Sequence, residues 1–559
     1  MRLTRSLACL VVVAASFAPA AQADPFDQLL SDSTVLYVSI EDLAKTTERY
    51  KEGALFALYN DPAMQVFLEK PLQIWAAKMA KMKAEDGISP EDVFNVLTGQ
   101  VAIVIPEVRF HKRGVDARPV VLADVRDAEK VQELIKQIEE ILLKDDDVRR
   151  TEEEFRGVTI VHYARAQEED EEKGAKKPDG PQCWYIDGKT LALAEKVDDL
   201  KAILARKGDM ETPSLANHEP YRRVRARLGE RADVVVFLNV SVLNKSLAEM
   251  PSDSVAMFRV ISGLESVDGL GMQASLARDG LTMSMFISVP GAKQGLLKLF
   301  DAKNSPLQPP KWVPGDVSDV TTMSIDLVEL MKEARNIEKK LGKEGTIDML
   351  LETAKGMGVD IEKEIIASLG KEMTMFSRLA SEGGNASMGF AIEVKDKPKL
   401  DGAIQKLLTV AQAWGLQTED EDYLGVKIRT IKMGFLSIPI ALLPDQFMVG
   451  SDVDLMKDVI RAYGKDVKGL IDADDYARGT AGLPEGRIMI GFTRFAKAVR
   501  ATMLGVLLGA APGVVDMSKF PKSEDIEKYL DVTTSLLINE ENGIFYASRL
   551  AFKKAAEDD

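Results

Sequence analysis

The chain repeats itself, and that constrains its fold more than any single motif. The segment GISPEDVFNVLTGQVAIVI (87–105) and the segment GVDIEKEIIASLGKEMTMF (358–376) share one plan: a glycine, an acidic helix start, a short amphipathic helix, a second glycine and a strand. The next segments, RPVVLADVRDAEKVQELIKQIEEIL (118–142) and ASMGFAIEVKDKPKLDGAIQKLLTV (386–410), each read as a strand, an Asp-containing turn and a long helix. In the first of these helices Val131, Leu134, Ile135, Ile138, Ile141 and Leu142 recur at helical spacing, which predicts one apolar face packed on a sheet.

The correspondence continues through EEFRGVTIVHY (153–163) with EDYLGVKIRTI (421–431). Next come the hairpin-plus-helix segments at 183–208 and 439–464, the apolar strands at 232–243 and 486–497, and the late hairpins at 269–288 and 533–550. The turns read as Asp187-Gly188, Pro444-Asp445, Asp279-Gly280 and Asn542-Gly543. Most strands are joined by tight hairpins, so the predicted fold class is α+β: two tandem homologous units with largely antiparallel sheets flanked by amphipathic helices. The boundaries are 24–300 and 317–559, separated by a Pro-rich linker at 301–316, DAKNSPLQPPKWVPGD.

Residues 1–23 read as a secretory signal peptide. Arg2 and Arg5 precede the apolar run Leu7 to Ala18, and Ala21-Gln22-Ala23 offers small-residue cleavage chemistry. Cleavage after Ala23 predicts a periplasmic or extracellular protein with no transmembrane segment. Among 559 residues the net charge is −16, which argues against nucleic-acid binding. Cys183 is the one cysteine beyond the signal, so no intrachain disulfide is expected.

The opening TVLYVSIEDLAKTTERYKEGALFALYNDPAM (34–64) and the segment GVDIEKEIIASLGKEMTM resemble a family of exported bacterial proteins known as DUF3352, a domain of unknown function found in planctomycete-type bacteria. The resemblance spans most of the chain after the signal and implies fold and export; it brings no activity with it.

Catalytic chemistry is sparse, and the expectation is that the protein is not an enzyme. His111, His162 and His218 are scattered, short of the three or four converging ligands of a zinc site. Cys183 lies in an apolar hairpin beside Trp184 and Tyr185 and reads as a core residue. Ser368-Leu369-Gly370-Lys371 matches the SxxK pattern of penicillin-recognising enzymes, but no SDN or KTG partner accompanies it. No catalytic, metal or cofactor residue is predicted. The acidic block at 168–172 reads as a solvated loop. Asp452 and Asp454 read as charges at a helix N-terminus. The Ser39, Glu41 and Asp42 corner recurs as Ser324 to Asp326, and Ser39 and Glu41 read as helix-capping chemistry rather than an active site.

Two surfaces are candidate contacts. Arg222, Arg223, Arg225, Arg227 and Arg231 form an anion or partner contact in YRRVRARLGER. The uncharged run ATMLGVLLGAAPGVV (501–515), with Met503, Leu504, Val506, Leu507 and Leu508, is a contact for an apolar partner or lipid, including peripheral contact with a membrane. Met272, Met283, Met285, Met373, Met375 and Met388 fall on predicted strands, where a Met-lined antiparallel sheet would suit an apolar ligand. The expected function is non-catalytic binding, through a surface patch or apolar cavity, of an envelope protein or apolar ligand. The alternatives are a carboxylate-dependent hydrolase and a purely structural envelope component.

Overall fold

The computed structural model describes residues 25–553, apart from 88, 112–113, 144–147, 166–181, 210, 230, 251, 380–385, 414, 435, 464–467 and 500–515. Residues 1–23, expected to be a signal peptide, the acidic block at 168–172 and the apolar run 501–515, with Met503, Leu504, Val506, Leu507 and Leu508, lie outside the described residues.

The strands of the first half are β1 (Leu36–Ile40), β2 (Leu97–Ile105), β3 (Val108–His111), β4 (Gly114–Ala117), β5 (Val120–Val125), β6 (Val148–Phe155), β7 (Val158–Arg165), β8 (Cys183–Asp187), β9 (Thr190–Ala194), β10 (Val234–Leu238), β11 (Gly269–Ala277) and β12 (Gly280–Ser288). Those of the second are β13 (Asp319–Ser324), β14 (Leu369–Arg378), β15 (Ser387–Val394), β16 (Gln417–Tyr423), β17 (Val426–Met433), β18 (Leu436–Leu442), β19 (Gln446–Gly450), β20 (Met489–Arg494), β21 (Leu530–Glu540) and β22 (Gly543–Phe552). Twenty of them make one sheet, β3 and β4 pair separately, and every pairing is antiparallel. Across the sheet the first half runs β6, β7, β8, β9, β5, β2, β1, β10, β11, β12. The second half continues β22, β21, β20, β13, β14, β15, β19, β18, β17, β16, which is the same pairing order in reverse.

The halves join where β12 pairs with β22, in register from Gly280↔Ala551 to Ser288↔Gly543. Here two expected turns need correction. The two-residue turns are Arg278-Asp279 and Glu541-Asn542, because Ala277 pairs with Gly280 and Glu540 with Gly543. The two glycines instead begin strands at the seam. A Cβ on Gly280 would lie 2.6 Å from the Leu550 carbonyl oxygen, and one on Gly543 would lie 2.3 Å from that of Ile287. Glycine is needed there for backbone approach between the halves.

One face of the sheet carries two cores. In the first, helices Val197–Arg206 and Glu219–Leu228 bury Leu200, Ile203, Tyr221 and Val224 on Tyr37, Leu122 and Phe237. In the second, helices Val453–Ala462 and Asp474–Thr480 bury Leu455, Val459 and Tyr476 on Val320, Ala391 and Phe492. Each fully buried apolar side chain contributes about 1.5–3 kcal/mol. Tyr221 meets Phe237 edge-on at 5.1 Å, and Tyr476 meets Phe492 in the same way at 5.3 Å.

Each core is also closed from its N-terminal side. Phe26, Leu29 and Leu30 enter the first, where Ser31 bridges to Ser214; Trp312, Val313 and Val317 enter the second, where Pro314 bridges to Gly469. The Pro-rich segment 301–316, expected to be a spacer, therefore buries Leu307, Trp312 and Val313.

On the opposite face the outer strands are covered by helix Ala128–Leu142, through Val131, Leu134 and Ile135, and by helix Lys397–Ala413, through Leu400, Ile404 and Leu408. In the middle of that face Met272, Met283, Met375 and Met388 are exposed.

Candidate functional site: the open face of the sheet

Antiparallel register aligns side chains on one face into rows that cross the strands. One row on the open face reads Val161, Trp184, Leu193, Val121, Ile103, Val38, Val236, Met272, Met285, Tyr546, Leu537, Met489, Met323, Met373, Ile392, Phe447. It crosses from β7 to β19 without a charged residue. The next row is different. Between Met283 and Met375 it holds only Ser548, Ser535, Gly491 and Thr321. Small residues beside a row of Met, Tyr and Leu make a furrow that crosses the seam between the halves. From β12 to β14 the furrow spans five strand spacings, about 24 Å.

The methionines singled out from the sequence meet here. Met272 is 36% exposed, Met283 45%, Met375 42% and Met388 62%, while Met285 and Met373 are half-buried. Exposed methionine presents a flexible, polarizable apolar surface that adapts to a ligand. Along the third row Thr493 Oγ1 donates to Asp319 at 2.6 Å, and the Thr533 hydroxyl is buried without a partner among the described residues. Burial pushes the Asp319 carboxyl above the usual aspartate range.

The five arginines do not share one surface. Arg223 is bound to Glu219, Asp268 (2.7 Å) and Ser288 (2.9 Å). Arg225 lies 3.8 Å from Glu41, and Arg227 reaches Glu540 at 2.6 Å while its guanidinium lies 3.4 Å over the Phe545 ring. Arg222 and Arg231 are exposed. The Arg227 contact ties the first half to the second across the seam.

The opening corner behaves differently from the capping expected of it. The N-cap of helix Leu43–Glu52 is Asp42, which accepts from the Lys45 N–H at 3.0 Å; Asp326 caps helix Leu327–Lys340. Ser39 lies inside β1, fully buried, and belongs with Glu41 to a network centred on Gln100. The Gln100 Nε2 donates among Tyr37 Oη (2.9 Å), Ser39 Oγ (3.0 Å) and Glu41 Oε1 (3.3 Å), and its Oε1 accepts the Phe26 N–H at 3.0 Å. Tyr221 Oη donates to Asp27 at 3.0 Å. Burial raises the carboxyls of Asp27 and Asp124 and the phenols of Tyr37 and Tyr221 above their ordinary values. The pattern SxE could not reveal this, because Gln100 and Asp27 are distant in sequence.

The remaining candidates are structural. Cys183 Sγ donates to the Ala194 carbonyl at 3.2 Å, and burial pushes its thiol up to about 12. Ser368 Oγ donates to the Glu364 carbonyl at 2.9 Å, while Lys371 pairs with Asp326 at 2.6 Å, so each belongs to a different contact. Asp452 caps helix Val453–Ala462 by accepting the Asp454 N–H at 2.8 Å. Among the described residues no group of three His, Cys, Asp or Glu is placed to hold a metal ion, and no helix is long and apolar enough to cross a membrane.

No family model matches this chain, and no curated protein does either. Among solved structures, crystal forms III, I and IV of TP0453 match in part, with TM-scores of 0.24, 0.23 and 0.24 and 10% identity each. They cover 51, 49 and 48% of this chain and 89, 82 and 81% of theirs. At scores this low the likeness does not bear on fold or function.

Proposed function

We propose that this is an exported envelope protein, related to the DUF3352 proteins and built by duplication, which binds an extended apolar chain without catalysing a reaction. The observation that carries the binding reading is the furrow: an uncharged channel of Ser548, Ser535, Gly491 and Thr321 ending at exposed Met283 and Met375. Its span of about 24 Å suits one long hydrocarbon chain lying across the strands. The shared pairing order of the halves, their matching Tyr-on-Phe contacts and their similar N-terminal plugs support duplication. The test is to purify the protein mildly from the native envelope, extract it with organic solvent and identify apolar molecules by mass spectrometry. Met283→Asp with Met375→Asp should lose the bound molecule and keep its thermal stability. A native protein that carries none, and gains none when offered long-chain lipids, would refute the reading.

One observation favours the hydrolase alternative: Asp27 and Asp124 are half-buried carboxyls that desolvation holds above their usual range. Each is already engaged, Asp27 with Tyr221 and Asp124 with the Gln100 N–H at 2.8 Å. Activity lost in both Asp27→Asn and Asp124→Asn, with folding intact, would revive that reading.

A further inference from the structure

Between β1 and β2 the first half builds something that the second half does without. Helix Pro62–Asp86 runs for 25 residues there, whereas the helix before β14 in the second half, Thr346–Gly356, has 11. The sheet pairs in the same order in both halves, so the extra length is not required to build it.

Only the foot of the long helix is anchored. Asp61 caps it by accepting the Ala63 N–H at 2.8 Å and also accepts the Tyr529 hydroxyl at 3.0 Å. Phe67 is buried edge-on against Phe520, with ring centres 5.0 Å apart, and Glu69 meets Lys519 at 3.7 Å. From Lys70 onward no described side chain of the helix is buried, and residues 70–86 extend for about 25 Å at helical rise.

This stretch is both cationic and apolar. Residues 70–83 read KPLQIWAAKMAKMK, with Lys70, Lys78, Lys81 and Lys83 and no acid, in a chain of net charge −16; Glu69, Glu85 and Asp86 stand at its ends. All four lysines are exposed, and Lys83 approaches Asp92 at 3.9 Å. In their midst Ile74 is 37% and Trp75 47% exposed. Lys70, Ile74, Lys78 and Lys81 follow one another at helical spacing, so apolar and cationic groups share one outward face. Lysine stems lie along apolar surface while their ammonium heads reach outward, and an indole settles at the boundary between a membrane and water. Charge separates this face from the exposed apolar residues of the shorter helix. There Met349 and Leu350 stand among Asp348 and Glu352, which pair with Arg335 at 2.9 Å and Lys355 at 2.8 Å.

We infer that helix Pro62–Asp86 docks the protein on an anionic lipid bilayer. Ile74 and Trp75 enter the boundary between head groups and chains, and Lys70, Lys78 and Lys81 lie among the lipid phosphates. Such binding adds a small apolar insertion to a Coulombic attraction, so it is reversible and depends on salt. It is independent of the furrow reading.

The test mixes the chain from Asp24 onward with vesicles of phosphatidylcholine, or of equal parts phosphatidylcholine and phosphatidylglycerol, and measures co-sedimentation and tryptophan emission. The native protein should bind the anionic vesicles about tenfold or more tightly than the neutral ones and leave them at high salt. Its emission should shift to the blue on binding, and Trp75→Phe should abolish the shift, since Trp312 is buried in the second core. Lys78→Gln with Lys81→Gln, and separately Ile74→Ser with Trp75→Ser, should each weaken binding about tenfold or more. Met349→Ser with Leu350→Ser, and the furrow variant Met283→Asp with Met375→Asp, should leave it unchanged. The emission of the native protein keeps the test decisive if a variant fails to fold. Equal binding to the two kinds of vesicle, an emission that does not move, or helix variants that bind as the native protein does would overturn the inference. So would a native protein that ignores both vesicles yet passes from dimer to monomer in Ile74→Ser with Trp75→Ser, which would give this face to a second copy. None of these outcomes bears on the furrow, whose own test is the extracted chain.

Discussion

Residue-scale chemistry here is mostly structural, and the Gln100 network shows how. One amide links the N-terminal plug to β1 and β2, and Asp124 clamps the bulge at Gly99 by accepting the Gln100 N–H. The second half repeats the clamp with Glu393, which accepts the Lys371 N–H at 3.0 Å. Asp27 supplies a test. Its folded carboxyl sits above the ordinary 3.8 because it is buried. Between those two values the folded chain binds more protons than the unfolded chain, so stability falls as pH rises through that window. The contribution is complete below the ordinary value and gone above the folded one. Asp27→Asn retains an acceptor for Tyr221 and removes this slope. Urea midpoints of the native protein and the variant should therefore diverge as pH is raised from below the aspartate range to neutrality, with the native protein losing relative stability. Parallel curves would show that Asp27 does not titrate this way. Phe26→Ala should cost about 3–5 kcal/mol by chemical denaturation, since Phe26 is fully buried in the first core. In the sequence Phe26 is an apolar residue near the expected cleavage position, and nothing local marks it as a plug.

Single elements were largely legible. Helix Ala128–Leu142 follows the predicted apolar spacing, and Pro444-Asp445 turns its hairpin as expected, whereas the turn expected at Asp187-Gly188 falls on Gly188-Lys189 because Asp187 pairs with Thr190. Pattern failed where partners came from far away, as at Gly280 and Gly543, whose role belongs to the seam. The outermost strands carry a further device. β6 reads VRRTEEEF and β16 reads QTEDEDY, both largely exposed and, among the described residues, each paired on one side only. Like charges on an open edge deter pairing with another molecule. Glu421→Val with Asp422→Val should therefore cause concentration-dependent assembly, visible by light scattering, with little change in the denaturation midpoint of dilute protein. A variant that stays monomeric at high concentration would mean that other features guard this edge.

At the scale of the whole molecule, two cores on one face are coupled by one continuous sheet. The seam combines the β12 and β22 register, the Arg227 to Glu540 contact and a cluster of Ile287, Leu297, Ile488, Leu537 and Ile544. Coupling of this extent predicts one calorimetric unfolding transition for both halves. Gly543→Val, which would drive side-chain atoms into the Ile287 carbonyl, should split it into two or lower it for both. A single unshifted transition would show that the seam does not couple them. By itself the sequence determined the antiparallel α+β class and much of the order of strands and helices, because these follow from hydrophobic period and turn chemistry within short windows. Tertiary structure alone decided that the two halves join edge to edge, that Ser39 and three of the five arginines turn to internal partners, and that scattered methionines form one open face. Register across strands is a property of residues hundreds of positions apart, and no local pattern encodes it.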